Sequence, residues 1–117
     1  SEPRMQQLLA QGKPVLVNMT ADWCITCLVN ERVALNTDST RAAMKLYDVQ
    51  YLKGDWTRKD PAITSYLRQF QRDGVPLYVL YWPGQPPELL PQILTPDSVR
   101  QALEQLSSKT STQGDTP

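Results

Sequence analysis

Apolar and polar residues follow two rhythms along this chain, and the switches between them divide it into elements. Residues 2–11 carry Met5, Leu8 and Leu9 on one helical face, and Gly12 is a natural stop. Residues 14–20, Pro-Val-Leu-Val-Asn-Met-Thr, read as a strand with Val15, Val17 and Met19 on one face. The turn Ala21-Asp22-Trp23 leads into Cys24. From Cys24 to about Leu35 there is no Gly or Pro, and Leu28, Val29 and Val33 have helical spacing. A further helix is predicted from Asp38 to Leu46, with Asp38 as its N-cap.

Residues 48–53 are a second strand candidate. Asp60-Pro61 is a helix start, an N-cap followed by proline at the first helical position. Ile63, Tyr66, Leu67 and Phe70 then recur at i, i+3, i+4 and i+7, until Gly74 breaks the pattern. After Pro76 comes Leu-Tyr-Val-Leu-Tyr-Trp, an apolar run suited to a buried strand. Pro83-Gly84 begins a turn, and residues 88–94 are the hairpin partner. Thr95-Pro96 opens a last helix with Val99, Ala102, Leu103 and Leu106 inward. From Ser107 to Pro117 no residue is apolar. The reading is one domain over residues 1–106 and a disordered tail or linker remnant over 107–117. The order α-β-α-β-α-β-β-α implies an α/β fold, a partly parallel sheet covered by helices on both faces.

At 117 residues the chain is long enough for one domain with a real core and too short for two. Twelve basic and 12 acidic residues cancel, so nothing suggests electrostatic capture of nucleic acid or an anionic membrane. No apolar run approaches the roughly 20 residues that span a bilayer. The chain begins at Ser1 rather than Met, as expected of a processed product or a domain taken from a longer protein.

With two cysteines and no histidine, Cys-His and Ser-His-Asp catalysis and His-ligated zinc are excluded. A c-type haem motif would need His where Leu28 stands. Chemistry that two thiols perform together survives.

Cys24-Ile25-Thr26-Cys27 sits where a strand hands over to a helix. The first helical turn has unpaired backbone N–H groups and the positive end of the helix dipole. Both favour thiolate, the species that attacks disulfides, over a thiol whose free pKa is about 8.5. The spacing lets Cys27 reach back to Cys24 and close a ring that releases a bound partner. A purely stabilising disulfide is a poor alternative, since so short a loop removes little unfolded-state entropy. A zinc half-site completed by another chain and a pair of inert buried cysteines are the other bland readings.

Ala21-Asp22-Trp23-Cys24-x-x-Cys27 after a Val-Leu-Val strand resembles the thioredoxin superfamily. The stretch Val17–Glu31 and Asp73-Gly74-Val75-Pro76 look most like the C-terminal periplasmic domain of DsbD-type and ScsB-type thiol:disulfide interchange proteins. The resemblance spans about residues 13–106. It implies a thioredoxin-like fold, with a central mixed sheet of about four strands flanked by helices. It implies a protein-disulfide reductase, with Cys24 attacking and Cys27 resolving. No cofactor is needed beyond the Cys24–Cys27 disulfide, and no metal. The electron donor would be a transmembrane domain of the same or a related protein. The acceptors would be periplasmic thioredoxin-like or disulfide-containing proteins. The chain would be a monomeric, soluble, periplasmic domain of an inner-membrane protein. The same thiols running as an oxidase or isomerase, a soft-metal module for Cu(I), and a docking scaffold are the competing readings.

Pro76 begins an apolar strand, where proline is tolerated at an end or edge. Residue statistics favour a trans bond, cis being about one X-Pro bond in twenty. The resemblance implies a cis bond facing the dithiol, with the peptide groups of Val75 free to pair with an incoming chain. Trp23 is expected over the mouth of the site, or packed against the helix. Glu31 follows Cys24 by seven residues and Cys27 by four, on one helix face. It would oppose thiolate formation and move protons, unless it is a solvated surface carboxylate. Family members usually carry a buried Asp six residues before the first cysteine. Here that position is Asn18, which cannot take a proton and leaves the usual proton route altered. Arg58, Lys59 and Arg72 read as solvated faces, and Tyr78, Tyr81 and Trp82 as strand packing.

Overall fold

A computed structural model describes residues 2–115, with side chains described for residues 3–108. The elements run α1 (Glu2–Ala10), β1 (Val15–Thr20), α2 (Ile25–Asn30) with a π-helical continuation (Glu31–Leu35), α3 (Asp38–Leu46), β2 (Gln50–Asp55), α4 (Pro61–Gln69), β3 (Leu77–Tyr81), β4 (Glu88–Leu89) and α5 (Ser98–Asp115). The sheet order is β2-β1-β3-β4. β1 pairs parallel with β2 and antiparallel with β3, and β3 pairs antiparallel with β4. This is the expected thioredoxin-like arrangement, a four-strand mixed sheet among five helices.

β1 is central, so both of its faces are covered. Val15 and Val17 pack with Met5, Leu8, Tyr66 and Leu67 of α1 and α4. Leu16 faces the other way, towards Ala34, Ala43, Val99 and Leu103 of α2, α3 and α5. Burying each large aliphatic side chain contributes about 2 kcal/mol. The sheet therefore needs β1 and β3 apolar on both faces, and the runs Val15–Val17 and Leu77–Leu80 supply this. The exception on β1 is polar. Asn18 and Thr20 share the α2-side face with Leu16, and both are buried.

Several local expectations are corrected. α2 forms as the spacing of Leu28, Val29 and Val33 predicts, but of these three only Val33 packs against the core. Cys27, Asn30, Glu31, Ala34 and Leu35 point inward, and Leu28 and Val29 are exposed. Helical spacing of apolar residues marks an apolar face without saying whether it meets the core. The N-cap of α3 is Thr37, whose hydroxyl accepts from the Thr40 amide at 3.1 Å. Asp38 is the first helical residue, where its charge complements the helix dipole. β2 begins two residues late, because Asp48 takes a left-handed φ of 55° that ends α3. β4 is only Glu88–Leu89 rather than 88–94. Pro91 follows, and the Gln92 and Leu94 backbone groups bond to Asn30 instead. The Asp60 cap is found as expected, accepting from the Ala62 amide at 2.8 Å.

Leu106 is the last buried apolar residue of α5. The region expected as a tail from residue 107 is helical backbone as far as Asp115. Side chains from 109 on and residues 116–117 lie outside the described residues. With no apolar residue after Leu106, there was no periodicity there to read. Among the described residues no helix is long and apolar enough to cross a membrane.

Candidate functional site

The two cysteines meet at the N-terminus of α2. Cys24 is the N-cap residue, in extended conformation, and its Sγ accepts a hydrogen bond from the Cys27 amide at 3.1 Å. Cys24 and Cys27 form a disulfide across a Cα–Cα distance of 5.2 Å. Cys27 is fully buried and Cys24 nearly so. A helix of six residues has a modest dipole, so the directed N–H is the more definite stabiliser of a sulfur anion at Cys24. Thiolate at Cys24 would keep that bond.

Val75 and Pro76 come to the site from the start of β3. The Val75–Pro76 bond is cis. Val75 packs against Ala21, Cys24 and Cys27, and its carbonyl oxygen lies 4.0 Å from Cys24 Sγ. Trp23 is half-exposed. Its indole N–H donates to the Thr57 carbonyl at 3.0 Å, and its ring stands 5.9 Å from that of Trp56. Thr57 Oγ1 accepts from the Asp22 amide at 2.9 Å and itself bonds Asp55. The β2–α4 loop thus fixes one edge of Trp23 and leaves a face open. Ile25, Leu28 and Val29 are exposed beside it, an apolar rim around the disulfide.

Beneath α2 lies a polar layer. Glu31 is buried, which overturns the solvated-carboxylate alternative. Its Oε2 accepts from the Thr20 hydroxyl at 2.9 Å, and its Oε1 meets Lys53 Nζ at 2.9 Å. The hydrogen bond from Lys53 to Glu31 raises the Lys53 pKa. Asn18 is fully buried. Its Nδ2 donates to Tyr51 Oη at 2.7 Å, while its Oδ1 has no hydrogen-bond partner in the structure. Burial pushes the Tyr51 hydroxyl up, so it stays protonated at neutral pH.

All seven residues singled out from the sequence lie in this region. Cys24, Cys27, Val75 and Pro76 form its centre, Trp23 its rim, and Glu31 and Asn18 its polar floor. The spacing and strand–helix placement did not point to Asn30, Thr20, Tyr51 or Lys53. Asn30 is nearly fully buried and donates to Tyr78 Oη at 2.9 Å and to the Gln92 carbonyl at 2.8 Å. Its Oδ1 accepts from the Leu94 amide at 3.1 Å. Position i+3 from Cys27 was the available clue. Tyr78 is therefore more than strand packing, and burial pushes its pKa up to about 12. Lys59 is exposed, yet its ammonium lies 6.0 Å and 5.6 Å from the Trp23 and Trp56 ring centres. Arg72 departs from the solvated reading, since its Nη1 is buried without a hydrogen-bond partner. The Arg72 amide donates to the Leu67 carbonyl at 3.0 Å, which holds this residue against the end of α4.

Asn30→Ala is expected to cost about 2 kcal/mol, because three bonds are lost and buried groups are left unpaired. Urea unfolding of the oxidised protein measures it. An unchanged midpoint would mean that water replaces the amide fully.

Among the described residues no group of three or more His, Cys, Asp or Glu is placed to hold a metal ion. A cavity of about 460 Å³ lies between α1, β2 and α4, lined by Met5, Met19, Leu52 and Ile63. It shares no lining residue with the disulfide.

Comparison with known proteins agrees with this geometry. A family model described as thioredoxin-like matches residues 1–83. The thiol:disulfide interchange protein DsbD 1 of Pseudomonas aeruginosa is 37% identical over 73 residues, 62% of this chain and 12% of that protein. DsbD of Yersinia pestis is 30% identical over 89 residues, 74% of this chain and 14% of that protein. The chain thus spans a small part of the length of these relatives. The oxidised C-terminal domain of Neisseria meningitidis DsbD superposes with a TM-score of 0.72 at 22% identity, covering 92% of this chain and 90% of that one. A Thermus thermophilus thioredoxin gives 0.69 at 15% identity, covering 97% and 88%. Because the thioredoxin-like family model matches residues 1–83, most of this chain's length, the chain belongs to the thioredoxin-like family.

Proposed function

We propose that this chain is a thiol–disulfide oxidoreductase domain that relays reducing equivalents from a membrane-embedded donor to periplasmic disulfide-bearing proteins. The observation that carries the reading is the placement of Cys24. Its sulfur receives an amide N–H at the head of α2 and lies under an exposed apolar rim of Trp23, Ile25, Leu28 and Val29. Similarity to DsbD proteins supports the direction of flow and the periplasmic setting.

In the reduced domain, Cys24 thiolate attacks one sulfur of a partner disulfide. A mixed disulfide forms, and the partner's other sulfur leaves as thiolate and takes a proton. Cys27 then loses its proton and attacks Cys24 Sγ. The Cys24–Cys27 bond forms, and the second partner thiol departs. Two electrons pass to the partner, and of its two protons one matches that lost by Cys27 and the other comes from water. A donor dithiol reverses the sequence at Cys24 and Cys27. The Val75 backbone, beside Cys24, offers peptide groups to align the partner's chain.

The reduction potential of the pair, measured against glutathione, tests the direction. A value near about −270 mV is expected. One near about −120 mV would make the domain an oxidant and overturn the relay.

A further inference from the structure

Resting on the dithiol-exchange reading, we propose that Lys59 is a positioning residue for partner binding. Its ammonium, set over the Trp23 and Trp56 rings, holds Trp23 as one wall of the mouth through which a partner's chain reaches Cys24. Trp23 directly precedes Cys24 and is half-exposed, so its open face is a large surface for a partner to meet. The ring behind it is fixed. Trp56 is buried, and its indole N–H donates to Thr64 Oγ1 of α4 at 2.9 Å. A Cβ added at Gly74 would lie 3.6 Å from Trp56 Cζ3. Trp56 therefore stands against both Trp23 and the loop that leads into Val75, and it joins the two sides of the mouth.

Lys59 is delivered by the turn after β2. Its amide donates to the Trp56 carbonyl at 2.9 Å, and its φ of 53° is left-handed, a conformation that costs a lysine backbone energy. From there the ammonium stands 6.0 Å from the centre of the Trp23 ring and 5.6 Å from that of Trp56. The carboxylates close to it in sequence are engaged elsewhere. Asp55 Oδ1 accepts from the Thr57 amide and hydroxyl, and Asp60 Oδ1 from the Ala62 and Ile63 amides. Among the described residues no carboxylate pairs with Lys59. The cation is thus held by the negative faces of the two rings. The bond from Trp23 Nε1 to the Thr57 carbonyl fixes one edge of the indole, and a ring tied at one edge can still swing about it. A cation shared by both rings opposes that swing. Without it, Trp23 has to be ordered by the partner, at a cost in affinity.

Reduced wild type, Lys59→Met and Lys59→Arg are mixed with insulin, a folded disulfide-bonded protein, and with hydroxyethyl disulfide, which is too small to reach across Trp23 from Cys24. The small disulfide reads the sulfur chemistry, and the ratio of the two rate constants reads the wall. Lys59→Met is expected to lower that ratio about threefold, the weight of one exposed cation–π contact. Lys59→Arg, which keeps the cation, should restore it. The indole N–H resonance of Trp23, identified by its loss in Trp23→Phe, should shift and broaden in Lys59→Met and return in Lys59→Arg. An unchanged ratio in Lys59→Met would overturn the proposal, as would a fall that arginine does not restore. Equal slowing with both disulfides would also overturn it, by placing the effect on sulfur. So would a lowered ratio with an unmoved Trp23 resonance, which would mean that the ammonium meets the partner directly. If wild type exchanges with neither disulfide, the exchange reading fails, while the resonance still decides whether Lys59 holds Trp23.

Discussion

Cys27→Ser is expected to attack partner disulfides and then fail to let go, whereas Cys24→Ser attacks nothing. The asymmetry follows from where the two sulfurs sit. Cys24 is at the N-cap, with an amide N–H on its sulfur and an apolar rim for a partner. Cys27 is one turn inside and fully buried, so an incoming disulfide meets Cys24 first. Resolution needs Cys27 to reach Cys24 Sγ, and the pair is already arranged for that. With serine at 27, the mixed disulfide has no internal nucleophile and accumulates. With serine at 24, exchange falls to the uncatalysed level. Loss of the disulfide itself costs about 2 kcal/mol for so short a loop, which leaves the fold intact. Non-reducing electrophoresis after mixing reduced variants with a disulfide-bonded protein reads the outcome. Equal trapping by both variants would show that the cysteines have interchangeable roles.

The parts of this site legible in the sequence were those fixed by local chemistry. A CxxC at a strand-to-helix junction is a signal within a dozen residues, and Asp60-Pro61 is another. The family pattern added Val75-Pro76, because the contact of Val75 with Cys24, 51 residues away, has no local signature. What stayed hidden depends on register. Lys53 looks like an ordinary lysine on an alternating strand. Only the parallel pairing that sets it beside Asn18 turns it towards Glu31. Asn30 looks like an exposed helix polar until the loop after β4 is seen to hang from it. The spacing of the outward Leu28 and Val29 left their role open for a related reason. An apolar helix face serves a core or a partner equally well, and the tie is broken by which side the buried Cys27 occupies.

Asn18→Asp is expected to make stability fall with rising pH and to make Cys24 harder to ionise. Asn18 is fully buried under α2, with one hydrogen bond, from its amide to Tyr51, and an oxygen that meets no donor. An aspartate there would have the Tyr51 hydroxyl as its donor and the Glu31 carboxylate on the same side of the sheet. Burial would push its folded pKa above the unfolded value of about 3.9, since Lys53 is already engaged in offsetting Glu31. Below about pH 4 the new carboxyl is neutral in both states and carries no charge penalty. As pH rises, the unfolded chain ionises first, so stability relative to wild type drains away until the folded pKa is passed. A folded pKa two units high would cost about 3 kcal/mol at pH 7. Urea unfolding of oxidised protein at pH 4 and pH 7 measures this, with the loss confined to the higher pH. Once ionised, the same carboxylate opposes a thiolate in the reduced protein, so the Cys24 titration should move to higher pH. Glu31→Gln should move it the other way, by less, because Lys53 already offsets that charge. Equal stability loss at both pH values would point to packing rather than charge. A Cys24 titration unmoved by either variant would separate the polar floor of the site from its chemistry.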